Sequence, residues 1–118
     1  MNFEVNIQSV AALAVGAWCT INGILHDIFV LKSDYGKKYD RELLRLLMDG
    51  HVLITCGAIQ AISFLGLQHN AHWAYATAAI ASLSMLVYCA MIWPFLKSVV
   101  TIVLNLALLG FLVISFLR

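Results

Sequence analysis

Four apolar stretches, each long enough to cross a lipid bilayer as a helix, constrain this chain more than any other feature. A spanning helix needs roughly 20 apolar residues, because the hydrocarbon core is about 30 Å thick and each residue rises about 1.5 Å. The stretches run from about Ile7 to Leu31, Leu43 to Leu67, Ala71 to Trp93 and Phe95 to Leu117. They take up most of the 118 residues, leaving room for a single domain over 1–118. Their length and lack of alternation exclude a β-barrel. Hydrophobic residues make up 63% and charged ones 11%, against about 45–50% and about 25% in soluble domains. Such a chain cannot cover a water-facing surface with polar groups, which excludes a soluble globular domain and a disordered chain. A net charge of +1 with seven Lys and Arg offers no footprint for a polyanion, so nucleic acid is not an expected partner.

The connections set the topology. Only the segment 32–42, from Lys32 to Glu42, is substantial; the others are Gln68-His69-Asn70 and a turn at Pro94. Short connections make neighbouring helices antiparallel, so the expected fold is an all-α, integral membrane four-helix bundle running up-down-up-down. Arg41, Glu42 and Arg45 extend the second helix beyond the hydrocarbon, with Asp40 as its N-cap. The first segment has no basic n-region and is longer than a signal-peptide core, so it reads as a span. Lys32, Lys37, Lys38, Arg41 and Arg45 flank the first connection and Lys97 the third, whereas Arg118 stands alone at the opposite end. The positive-inside rule then places both termini on the non-cytoplasmic side of an inner or plasma membrane.

Polar residues within spans need an explanation, because hydrocarbon offers them no partners. The first helix carries Ala12, Gly16, Cys19, Gly23 and His26 on one stripe, with Asn22 beside it. Small residues at this spacing let another helix approach closely, so the stripe reads first as a packing seam. The second helix places Asp49, Cys56, Gln60 and Ser63 on one face, with His51 roughly 200° from Asp49. The third offers His72, Tyr75, Ser82 and Cys89, with Tyr88 alongside; the fourth offers Ser98, Thr101, Asn105 and Ser115. Measured from helix centres at about 1.5 Å per residue, Asn22, His51 and Asn105 lie ~3–6 Å toward the cytoplasmic side. His26, Asp27, Asp49 and Tyr88 lie ~7–12 Å toward it. All four helices thus place polar groups in one half of the bundle, and a polar pocket there is the expected site.

Plainer readings stand beside it. His26, Asp27 and Asp49 are near enough to the headgroups to snorkel, and Asp49 has Arg45 one turn earlier as an ion-pair partner. Asn22 and Asn105 read as polar glue between helices. His26 and His51 are the minimum for bis-histidine haem ligation. His69 and His72 form a weak metal edge that reads better, with Trp73 and Tyr75, as an interfacial belt, so no metal site is assigned. Cys19, Cys56 and Cys89 act as small hydrophobes. Cofactors are not specified by any motif.

The expected function is binding of an amphiphilic small molecule, lipid or quinone-like, by Asn22, His26, Asp27, Asp49, His51, Tyr88 and Asn105. The alternative is a membrane-embedded acid–base enzyme, an isomerase or hydrolase on a lipid-like substrate, with His26, Asp49 and Tyr88 as its catalytic groups. Further alternatives are haem-b binding, oligomeric transport of a small solute, and a structural subunit that meets its partner through Gly16 and Gly23. Expected partners are the lipid bilayer and the amphiphile, with a homo-oligomer or another membrane subunit as protein partners. The layout is similar to that of compact four-helix families such as the DoxX-like proteins; this is a resemblance of architecture, and no residue is carried over from it.

Overall fold

A computed structural model of the protein describes residues 6–118. Four helices follow in chain order: α1 (Ile7–Lys32), α2 (Arg41–Leu67), α3 (His72–Ile92) and α4 (Val99–Leu117), with a 3-10 turn over Asp34–Lys37 between α1 and α2. All four are long and apolar enough to cross a membrane. The protein is an all-α, antiparallel four-helix bundle of the integral membrane kind. Ile80, Val87, Val103 and Ile114, all more than half exposed, lie on outer faces that suit lipid. At about 1.5 Å per residue, α1 with 26 residues and α2 with 27 reach ~40 Å, about 10 Å beyond the hydrocarbon. The surplus carries Lys32, Arg41, Glu42 and Arg45 at the loop end of the bundle.

The helix ends follow local chemistry. Asp40 caps α2, its carboxylate accepting from the Leu43 N–H at 2.9 Å. At the other end of α2, Asn70 adopts φ 53°, a left-handed conformation that asparagine tolerates better than most residues. The Ala71 N–H closes this turn on the Gly66 carbonyl at 2.9 Å, and α3 turns back along α2. Between α3 and α4 the chain departs from a simple turn at Pro94. Phe95 and Leu96 both donate to the Ile92 carbonyl, at 2.8 and 2.7 Å, and α4 starts only at Val99. Pro94 has no N–H and cannot continue the helix, so residues 93–98 form a connection, with Phe95 exposed. Lys97 Nζ lies 5.8 Å from the Trp93 ring in this connection, the arrangement of an interfacial anchor.

The core is built largely from small residues. Ala12, Gly16, Cys19 and Gly23 of α1 are buried, and they face glycines of α2. A Cβ at Gly16 would stand 2.5 Å from the Gly57 carbonyl oxygen, and one at Gly23 would stand 2.6 Å from that of Gly50. The two glycines on each helix are seven residues apart, so two backbone-to-backbone contacts lie two turns apart along one seam. This corrects one expectation: the Gly16 and Gly23 seam is occupied by α2 of the same chain, which leaves it closed to a partner subunit. Toward α3 and α4 the core continues through Ala74, Ala78, Ala81, Met85, Leu108 and Leu112. The described cysteines are all free.

Candidate functional site

Polar side chains collect at three levels of the bundle. At the loop end the α1–α2 glycine crossing decides the geometry. Gly23 is followed by His26 and Asp27, and Gly50 is flanked by Asp49 and His51, so apposing the glycines brings the two His/Asp sets together. The Asp27 carboxylate occupies the space where a Gly50 side chain would be. His26, His51 and Asp49 are the titratable groups that act on it. Its Oδ1 is buried and has no hydrogen-bond partner. His26 Nε2 donates to the Leu46 carbonyl at 3.0 Å. Asp49 adjoins the Tyr88 hydroxyl of α3. His51 is exposed and its Nε2 lies 3.4 Å from Thr55 Oγ1 of its own helix. Arg45 does not pair with Asp49; among the described residues the one ion pair is Lys37 with Asp34 at 3.1 Å, on the surface.

Five of the seven residues expected to form a site, His26, Asp27, Asp49, His51 and Tyr88, therefore stand at this end. The other two belong elsewhere. Asn22 turns back on its own helix, donating to the Trp18 carbonyl at 2.7 Å. Asn105 sits at mid-bundle, fully buried together with Gln60 and Ser82. Gln60 Nε2 donates to Asn105 Oδ1 at 2.7 Å and to Ser82 Oγ at 3.0 Å, and Asn105 Nδ2 donates to the Thr101 carbonyl at 2.8 Å. Cys19 of α1 lies against Asn105, so all four helices meet there. Gln60 Oε1 has no partner.

The third level is the end that carries both termini, and two cavities lie there. One, of about 480 Å³, is lined by polar groups including Gln8, Asn70, His72, Tyr75, Ser115 and Arg118. Its floor is a triad. Gln8 Nε2 donates to Asn70 Oδ1 and to the Tyr75 hydroxyl, both at 3.2 Å, and Tyr75 donates to Asn70 Oδ1 at 2.9 Å. The left-handed turn at Asn70 delivers this acceptor, and Asn6 Nδ2 ties the start of α1 to the Leu67 and Gln68 carbonyls. The second cavity, about 440 Å³, is an apolar groove between α3 and α4, walled by Ala76 and Ala79 on one side and Leu109, Leu112, Val113 and Leu117 on the other. His72, Tyr75 and Phe116 border both cavities.

On the sequence, Asn70 falls in a connection, His72 in an interfacial belt, and Tyr75 and Ser115 on helix stripes, whereas nothing marks Gln8. A glutamine in the first turn of a span looks like a headgroup residue. The available signal was His72, Tyr75, Ala76 and Ala79, spaced i, i+3, i+4, i+7, where two alanines leave a gap on a face that begins with polar aromatics. Among the described residues no group of three His, Cys, Asp or Glu could hold a metal ion. Comparison with protein families, characterised proteins and solved structures finds no match for this chain.

Proposed function

We propose that this membrane protein binds a single amphiphilic molecule, its polar head in the chamber at the termini end and its tail in the α3–α4 groove. The observation that carries this reading is that a polar cavity and an apolar one adjoin and share His72, Tyr75 and Phe116 as common walls. Each is of ligand size, since small-molecule sites run about 300–1,000 Å³. The reading keeps the ligand class expected from the sequence and moves the head to the opposite half of the bundle. Lys32, Lys37, Lys38, Arg41, Arg45 and Lys97 all lie at the loop end, which supports both termini, and with them the chamber, on the non-cytoplasmic side.

Ala79→Leu is the direct test. It fills the groove and leaves the chamber's hydrogen bonds intact. Native mass spectrometry of protein released from mild detergent is expected to find one added mass on the wild type and at least about tenfold lower occupancy on the variant. Equal occupancy on both, or none on either, removes the reading.

A second reading is supported by the bare Asp27 oxygen. A buried carboxylate oxygen without a donor, with His26, His51 and Asp49 as its titratable neighbours, is suited to proton transfer on a lipid-like substrate. In this reading, membrane lipids incubated with the protein in deuterium- and oxygen-18-labelled water acquire label, and Asp27→Asn abolishes the uptake. Unlabelled lipid after incubation with the wild type discards it.

A further inference from the structure

We infer that the head group held in the chamber is a flat, electron-poor ring bearing carbonyl oxygens, the chemistry of a quinone, rather than the phosphate head of a phospholipid. The inference rests on the amphiphile reading of the same two cavities and narrows its ligand class. Its basis is the junction where head and tail must meet. The Phe116 ring stands 5.8 Å from His72 at 61° and 5.6 Å from Tyr75 at 64°. Three rings thus wall the passage between the chamber and the groove. Aromatic faces are electron-rich and favour an electron-poor partner laid against them or an edge directed at them. A phosphate diester gains nothing from such a wall; Arg118, which also lines the chamber, is among the described residues the one fixed cation there that would favour it, and competition between the two head groups separates them.

Hydrogen-bond valence points the same way. Asn70 Oδ1 accepts from both Gln8 and Tyr75, so what Asn70 has left for a ligand is its amide N–H pair. Both hydrogens of Gln8 Nε2 are used within the triad, so what Gln8 has left is its carbonyl oxygen. The Tyr75 hydroxyl, which gives its proton to Asn70 and accepts from Gln8, holds the two amides in this arrangement. The floor therefore presents a neutral donor on the exposed Asn70 beside a neutral acceptor on the buried Gln8, both bonded to the buried Tyr75 hydroxyl. A ring carbonyl takes the donor, and the hydroxyl of the reduced ring gives to the acceptor, so both forms of a quinone fit the same floor.

The tail fits the same ligand. From His72 to Ala79 on α3, and from Leu109 to Leu117 on α4, the groove extends about 10–12 Å at about 1.5 Å per residue. That is about a third of the hydrocarbon thickness. A ring at the junction therefore sits near the membrane surface, with its apolar chain directed toward the bilayer centre.

The test uses the whole purified protein in detergent with two probes, a decyl-substituted benzoquinone and lysophosphatidylglycerol, each followed by native mass spectrometry and in competition. One decylbenzoquinone per chain is expected, displacing the lysolipid. Phe116→Leu and Tyr75→Phe are each expected to weaken it about three- to tenfold without changing lysolipid occupancy. Ala79→Leu should exclude both probes, with circular dichroism confirming that the helices persist in every variant. Lysolipid displacing the quinone overturns the ring inference while leaving amphiphile binding in place. Quinone binding that is lost in Ala79→Leu but indifferent both to loss of the Phe116 ring and to loss of the Tyr75 hydroxyl also overturns the inference. Failure of both probes to bind in an Ala79-dependent way overturns the amphiphile reading itself.

Discussion

Gly16→Leu is expected to destabilise the bundle by about 3 kcal/mol or more, the upper range for forcing bulk into a packed interface. The new Cβ alone would stand 2.5 Å from the Gly57 carbonyl oxygen, 2.6 Å from the Ala61 nitrogen and 3.1 Å from the Ala61 Cα. All three obstacles are backbone, so no side-chain rotation relieves them and α1 must move off α2. That movement also parts Gly23 from Gly50 and takes Asp27 away from the His51 and Asp49 side of the loop-end cluster. Gly110→Ala is the matched control. Its Cβ meets nothing within 4 Å, and alanine is the better helix former by up to about 1 kcal/mol, so the control should be neutral or slightly stabilising. Unfolding in mixed detergent micelles, followed by circular dichroism, measures both. A Gly16→Leu protein as stable as Gly110→Ala would show that the α1–α2 crossing does not hold the bundle together.

The second large effect is expected at mid-bundle. Asn105→Leu and Gln60→Leu should each cost about 1–2 kcal/mol, within the range for buried hydrogen bonds in proteins and membrane helices. Each change leaves one buried amide oxygen bare. Removing Asn105 leaves the Gln60 amide with Ser82 as its remaining acceptor and its own oxygen still without a partner. Removing Gln60 takes that oxygen away but strips Asn105 Oδ1 of its donor, while Asn105 keeps its bond to the Thr101 carbonyl. The double substitution should therefore cost less than the sum of the singles, by about 1 kcal/mol. Strict additivity in the same unfolding assay would mean that the two amides do not act as a pair.

Residues of the same type carried very different amounts of information in the one-dimensional reading. The α1 stripe of Ala12, Gly16, Cys19 and Gly23 was legible because small residues at helical spacing have one strong physical use in lipid, the close approach of a second helix. Asp40 was legible as a cap because capping is local, decided within three residues. Asn22 and Asn105 lie at similar calculated depth on different helices, yet one bonds its own backbone and the other anchors a network of four helices. Spacing and depth do not determine helix rotation about its axis, and rotation separates those two outcomes. Gln8 and Tyr75 are 67 positions apart, and no local pattern joins them.

The membrane setting, the number of spans, their antiparallel order and the seam on α1 follow from the sequence itself. Each rests on local composition or on a short connection, and hydrocarbon leaves a chain with these runs few other choices. What only the tertiary structure decided is where the polar groups converge and where space is left between helices. Five of the expected site residues do gather at the loop end, but the chamber and the groove lie at the other end, where Ala76 and Ala79 face α4 and Asn70 turns left-handed beside Gln8 and Tyr75. A cavity is the volume that packing fails to fill, so it depends on the rotation and separation of helices distant in sequence, and no single segment encodes it.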